Sequence, residues 1–361
     1  MLMVVKIGWH ECADVSRLEN VLTYALNGFE YRVADGVSFS EGLHASSCTS
    51  ECRAVLFAVA LPAGGISCEY AQLLSALSAS PACLNGWTGA VIVDGPGELF
   101  TKKIGRELIF IANQAGCAFP GKPLVEATGS LYNFNTQARL LGADALQAYR
   151  ESATRLVGKT FSFAQRVVHP AAAHRVVVLH ASSRKTSNTL MLWEMVRKHL
   201  DDAVQVEEIS LRNGAVVDCR GCSYEACRHF GEKGECFYGG VIVERVYPAI
   251  RASDVVVLIC PNYNDAVSAN ITAFFNRLTA LFRKDSESFS RKYIYALVVS
   301  GYSGGDIVAE QIIDAMSCNK NFALPPRFAL IETANDPLSI LQCEGIEERA
   351  AEMAGRIAGI Y

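Results

Sequence analysis

The feature that most constrains this chain is a series of short, unbroken runs of β-branched and aliphatic residues separated by helical patterns. DVVVLIC at 254–260 and IYALVVS at 294–300 show no polar/apolar alternation. A strand with one wet face alternates. A strand that does not is covered on both faces, as in a parallel sheet layered by helices. In the second half the order is Val176–Leu179, then a helix with Leu190, Trp193, Val196 and Leu200 on one face, then Val204–Ile209 and Val255–Cys260. A helix over 269–282, Tyr293–Ser300, a helix over 306–317, Phe328–Ile331 and a closing helix over 344–360 complete it. Five strands alternating with helices predict a doubly wound α/β domain.

The first half runs through the same order. MVVKIGWHEC (3–12) pairs with RVVVLHASSR (175–184), and AVLFAVALP (54–62) pairs with DVVVLICPN (254–262). GAVIVDG (89–95) pairs with YALVVSG (295–301), and AFPGKPLVE (118–126) with ALPPRFALIE (323–332). The offset between partners grows once, across a cysteine-rich block at 213–240 that only the second half carries. Matches in one order with one localised insertion predict a duplication. The expectation is two tandem doubly wound sheets of five parallel strands, with helices on both faces. The domains would be residues 1–159 and 175–361, joined by a linker at 160–174, TFSFAQRVVHPAAAH. A chain of 361 residues suits two domains.

A net charge of −4 with no basic run argues against nucleic acid as a partner. No apolar run is long enough to span a membrane. The start, MLMVVKIGWHE, lacks the charged segment and long apolar core of a secretion signal, so a cytoplasmic protein is expected. In that compartment the thirteen cysteines read as reduced thiols rather than a disulfide framework.

Ligands of open parallel sheets bind beyond the carboxyl ends of the strands, where strand order reverses. The loops after strands one, three and four of the second half are therefore the candidate site. The first is ASSRKTSNT (181–189), rich in hydroxyls and free of acid. Ser182, Ser187, Asn188 and Thr189 supply donors, and Arg184 supplies charge, at the start of a helix whose free N–H groups favour an anion. An ordinary helix cap needs one such residue, not a cluster. The second loop, PNYNDAVSA (261–269), offers Pro261, Asn262, Tyr263 and Asn264. The third, SGYSGGD (300–306), offers Ser300, Gly301 and Gly304, where backbone amides can approach a ligand closely.

These three loops, over roughly 175–335, resemble the NADPH-dependent FMN reductase group of the flavodoxin-like superfamily. That group carries a Gly-Ser-x-Arg-x-x-Ser/Gly-Asn-Thr/Ser phosphate loop, a Pro-x-Tyr loop and a Gly-rich loop after the fourth strand. Here Ala181 stands at the first Gly of the phosphate loop. The helix SANITAFFNRL (268–278) is also similar to the one that follows the second loop in that family. The resemblance implies two flavodoxin-like folds and non-covalent FMN. Ser182, Arg184, Ser187, Asn188 and Thr189 would hold the phosphate. Pro261, Asn262, Tyr263, Asn264, Ser300, Gly301 and Gly304 would surround the ring. It implies an NAD(P)H oxidoreductase passing electrons to a quinone, flavin or other small acceptor. The alternatives are an FMN-binding electron carrier and a non-catalytic flavin-binding or assembly module. No acid–base catalytic residue stands out.

The block CRGCSYEACRHFGEKGEC places Cys219, Cys222, Cys227 and Cys236 within reach of one another. Four thiolates could hold an iron–sulfur cluster or zinc. The related iron–sulfur flavoproteins have a tighter spacing, so plain or redox-active thiols are the favoured reading. Of the equivalent loops of the first half, WHECADVSR carries two acids and no hydroxyl cluster, LPAGGIS lacks the Tyr, and DGPGELF carries acids where the flavin loop is neutral. No FMN is expected there. Relatives in this group dimerise beside the flavin, which implies that the first half serves as a built-in pseudo-dimer partner, with further homo-oligomerisation open.

Overall fold

The computed structural model describes residues 1–44, 54–167, 174–182, 186–212 and 216–359. The chain divides into two compact units, Met1–His169 and Pro170–Tyr361.

In the first unit the strands are β1 (Leu2–Ile7), β2 (Tyr31–Asp35), β3 (Ala54–Ala60), β4 (Thr88–Asp94) and β5 (Leu124–Ala127). They alternate with α1 (Ser16–Ala25), α2 (Gly36–His44), α3 (Cys68–Ala79), α4 (Thr101–Gln114), α5 (Asn135–Leu141) and α6 (Ala145–Val167). The second unit has β6 (Arg175–His180), β7 (Gln205–Ser210), β8 (Val255–Pro261), β9 (Tyr293–Ser300) and β10 (Ala329–Thr333). Its helices are α7 (Asn188–Lys198), α8 (Tyr224–Glu232), α9 (Tyr247–Ala252), α10 (Ala269–Phe289), α11 (Gly305–Ile312) and α12 (Ile346–Ile357).

Both sheets are parallel throughout, with orders β2-β1-β3-β4-β5 and β7-β6-β8-β9-β10. This is the flavodoxin-like order, and each sheet has its switch point between its first and third strands. The unbroken apolar runs lie at the sheet centres. Every residue of β3 is buried, and all of β8 except Pro261 is buried. The outer strands β2 and β7 are the polar ones. On one face of the second sheet, Trp193 and Val196 of α7 and Ala350 and Met353 of α12 pack on Val178, Val257 and Leu297. The first unit repeats the arrangement with α1 and α6 packed on β1, β3 and β4.

The correspondence extends to irregular details. Thr88 bridges Ala118 in one unit, and Tyr293 bridges Ala323 in the other. Four residues past each of those alanines, Lys122 and Arg327 both take a left-handed backbone, at φ 53° and 50°.

The expected linker at 160–174 differs from the structure, because α6 continues to Val167. Leu156, Val157, Thr160, Phe163 and Ala164 are all buried at helical spacing, and Phe161 stacks on Phe29. Residues 160–167 are thus the last two turns of a core helix.

Candidate functional site

A cleft of about 680 Å³ opens at the switch point of the second sheet, within the size range of small-molecule sites. Its walls are the loop after β6, the start of α7, the loops after β8 and β9, and the loop after β10. Of the residues expected from sequence, Ser182, Ser187, Asn188, Thr189, Pro261, Asn262, Tyr263 and Gly301 line it. Arg184 lies outside the described residues. Asn264, Ser300 and Gly304 are not part of the lining. Among the described residues the lining carries no carboxylate.

One end of the cleft is built on a helix start. Ser187 is the N-cap of α7, and its hydroxyl accepts from the Leu190 N–H at 3.4 Å. The Ser187 carbonyl takes the first intrahelical bond, from Met191. The N–H groups of Asn188 and Thr189 then have no acceptor within the helix, at the positive end of its dipole. The Ser187 side chain thus caps the helix, and the backbone beside it faces the cleft. Asn188 also departs from expectation. Its amide donates to the carbonyls of Ala334 and Asp336 at 3.0 and 2.8 Å, and its Oδ1 accepts from Ile340 at 3.4 Å. The side chain therefore straps the loop after β10 to α7 and is not free for an anion.

The other side is a bonded seam between two loops. The Asn262 amide donates to the Ser303 carbonyl at 2.8 Å and to the Ser300 hydroxyl and Asp265 Oδ1 at 3.2 Å each. Ser300 is buried beneath the cleft wall and acts as an acceptor in this seam. Asn264 and Asp265 turn the chain through left-handed conformations at φ 53° and 56°. Gln311 of α11 fixes the same turn by donating to the Asp265 carbonyl and accepting from the Val267 N–H. Gly304 has φ 83°, and a Cβ there would stand 2.0 Å from Asp265 Oδ1. Glycine is needed for the two loops to meet. A Cβ on Gly301 would meet Asn335 Oδ1 at 2.8 Å, so a side chain there would crowd the loop after β10.

Sequence reasoning missed the loop after β10, where Ala334, Asn335 and Pro337 line the cleft. Its Asn-Asp-Pro turn directly after a strand was the available signal. It also missed Thr186 and Ser268.

Residues 174–336 match the NADPH-dependent FMN reductase family. The matched span runs from the start of β6 through the loop after β10. It contains every wall of the cleft described here except Pro337. The iron–sulfur flavoprotein of Archaeoglobus fulgidus is 25% identical over 140 residues, covering 38% of this chain and 69% of its own length. Among solved structures, RosB with bound 8-demethyl-8-formylriboflavin-5′-phosphate is 14% identical. It covers 52% of this chain and 78% of its own, with a TM-score of 0.41. The azoreductase of Bacillus anthracis is 16% identical, covers 52% and 99%, and has a TM-score of 0.39.

The first unit lies outside the FMN reductase match. Its switch point holds a smaller crevice of about 370 Å³, lined by Cys12, Asp14, Arg17, Leu61 and Asp94 among others. Arg17, near the start of α1, grips Asp94 at the end of β4 with Nε and Nη2 at 3.0 and 2.6 Å. Two further N–H groups go to the carbonyls of Gly95 and Gly129. The side chain fills its own helix-start region with an internal ion pair. Glu11 does the same for α3, accepting from the N–H groups of Cys68 and Glu69. His10, Glu11 and Glu69 lie close together, but both carboxylates are engaged by backbone N–H groups and by Ser67.

Within the FMN reductase span, the cysteine block hangs from α10. Arg277, 3% exposed, donates to the carbonyls of Val217 and Gly239 at 3.1 and 2.6 Å, closing the block at its neck. Asn276 donates to Asp218, which also accepts from the Cys219 N–H. Cys219 is exposed and Cys222, Cys227 and Cys236 are half-buried. None of the four lines the cleft. Among the described residues, no three of these sulfurs lie within 4.8 Å of one another.

No described helix is long and apolar enough to cross a membrane.

Proposed function

We propose that the second unit binds FMN in the cleft at its switch point and works as an NAD(P)H-dependent oxidoreductase that delivers electrons to a small-molecule acceptor. The observation that carries this reading is the composition of the cleft. Helix-start N–H groups without an intrahelical acceptor stand with hydroxyls at one end, a tight two-loop wall with Tyr263 stands at the other, and the described lining has no carboxylate. A phosphate monoester fits the first, and a planar ring fits the second. The match over 174–336 supports the same assignment.

When bound, FMN supplies hydride acceptance and electron delivery. The chain supplies position. The N–H groups of Asn188 and Thr189, with the Ser182 and Thr189 hydroxyls, would hold the phosphate, and Arg184 would add charge. The Asn262 seam holds the two ring-side loops in one register. Pro261, Tyr263 and Gly301 would border the ring. Tyr263 is 56% exposed and Tyr302 is 80% exposed, which leaves the outer rim open to a second substrate. No residue is assigned a proton-transfer role, because hydride transfer to a flavin does not require one.

The test is FMN titration of the full chain, followed by anaerobic addition of NADPH and then a quinone. The expected results are saturable FMN binding, bleaching of the flavin absorbance by NADPH and its return with the quinone. Binding without bleaching by NADH or NADPH would instead favour an electron carrier. Absence of FMN binding would overturn the proposal. Metal analysis of anaerobically purified protein addresses the cysteines. The thiol reading expects iron well below one per chain, and a Cys222-dependent iron and sulfide content near four would replace it with a cluster.

A further inference from the structure

His180, the last residue of β6, stands behind the cleft and is not part of its lining. It is only 7% exposed. Its Nδ1–H donates to the Ser182 carbonyl at 3.1 Å. Ser182 is itself buried and lines the cleft. A carbonyl oxygen held by the ring is committed to that bond, whereas one turned into the cleft would present lone pairs that repel an anion.

The other ring nitrogen, Nε2, lies 3.4 Å from Glu208 Oε1 on β7. The second oxygen of Glu208 accepts from the Trp193 indole of α7 at 3.0 Å and faces Arg197 of the same helix at 3.7 Å. A continuous chain of contacts therefore joins α7, whose first turn borders the cleft, to Ser182, which lines the same cleft. Arg212, beyond β7, is the other charge acting on the ring. Burial pushes His180 toward its neutral form, while Glu208 pulls the other way. With Nδ1–H committed to Ser182, the neutral ring presents a lone pair to a carboxylate. Only the imidazolium can bond at both nitrogens.

We propose that His180 is a positioning residue for the anion bound at the start of α7, holding the Ser182 carbonyl aside and coupling its own protonation to anion binding. The inference rests on the FMN reading and takes the FMN phosphate as the anion. Coupling is reciprocal. If the protonated ring favours the anion, the bound anion raises the ring's proton affinity by the same factor.

The test uses the full chain and compares FMN with riboflavin, which lacks the phosphate. The proteins are the wild type, His180→Asn, which keeps a side-chain donor without a titration, and His180→Leu, which keeps bulk without a donor. His180→Leu is expected to weaken FMN about fivefold, the scale of one buried hydrogen bond, and to leave riboflavin unchanged. His180→Asn should restore most of that loss. The phosphate itself titrates near pH 6, in all three proteins alike. On acidification the wild type should gain FMN affinity relative to His180→Asn, and the His180 ring resonance should titrate higher with FMN than with riboflavin. Equal FMN affinity in wild type and His180→Leu, equal loss of both ligands, or superimposable pH profiles for wild type and His180→Asn would overturn the inference and leave FMN binding standing. A wild type that binds no FMN would overturn the underlying reading and the inference with it.

Discussion

Gly304 shows how much a single residue decides at this site. It starts α11 in a left-handed conformation and sits where a Cβ would collide with Asp265 Oδ1 and crowd the Asn262 amide. Gly304→Ala must therefore meet a backbone penalty of about 1–2 kcal/mol and push the two ring-side loops apart. We expect it to lower the thermal midpoint and to weaken FMN about tenfold. Isothermal titration beside a melting curve would check this. Unchanged affinity would mean that the seam does not shape the ring site. Asn188 carries the complementary lesson. Its type and position matched a phosphate ligand in sequence, yet its side chain spans to the loop after β10. A side chain's partner far along the chain is not visible in a local motif, so the motif located the residue correctly and missed its contacts.

At the scale of elements, the strands were the legible part. Runs with no alternation marked β3, β8 and β9, which lie at the centres of their sheets. The C-terminal end of α6 was misread, because Pro170 and the alanine run drew attention while the buried stripe through Thr160 and Phe163 still kept helical spacing. The fifth wall of the cleft was missed for a related reason, since the switch point draws attention to the loops flanking it. The cysteine block was legible as an insertion but not as an attached one, because its anchors, Asn276 and Arg277, lie on α10, far along the chain. Arg277 is the decisive anchor. Its replacement by Met would leave the carbonyls of Val217 and Gly239 without their donor, at a cost of about 3 kcal/mol for two charge-assisted bonds. The expected outcome is faster proteolytic cleavage within 217–239, read by mass spectrometry, with little change in FMN affinity. Cleavage at the wild-type rate would show that the block is held by other contacts.

At the scale of the whole molecule, two units share one strand order, one pattern of bridges and one pair of unusual backbone positions. We propose that the first is a diverged copy of the second that does not bind FMN and serves as its built-in partner. The reading predicts one FMN per chain, measured by flavin released on denaturation against protein concentration. Two per chain would defeat it. The partner role predicts weaker FMN binding, or aggregation, for a 170–361 fragment, and a soluble, fully active monomeric fragment would remove it.

The ion pair of Arg17 with Asp94 has a consequence for how the protein is made. A binding site whose donors wait for a ligand leaves the nascent chain incomplete until that ligand arrives. The first unit carries its own substitute, synthesised with the chain and present at a fixed one-to-one ratio. Closing that helix start therefore needs no small molecule. If the second unit holds FMN as proposed, a shortage of flavin would leave this ion pair in place and the second unit's cleft unfilled.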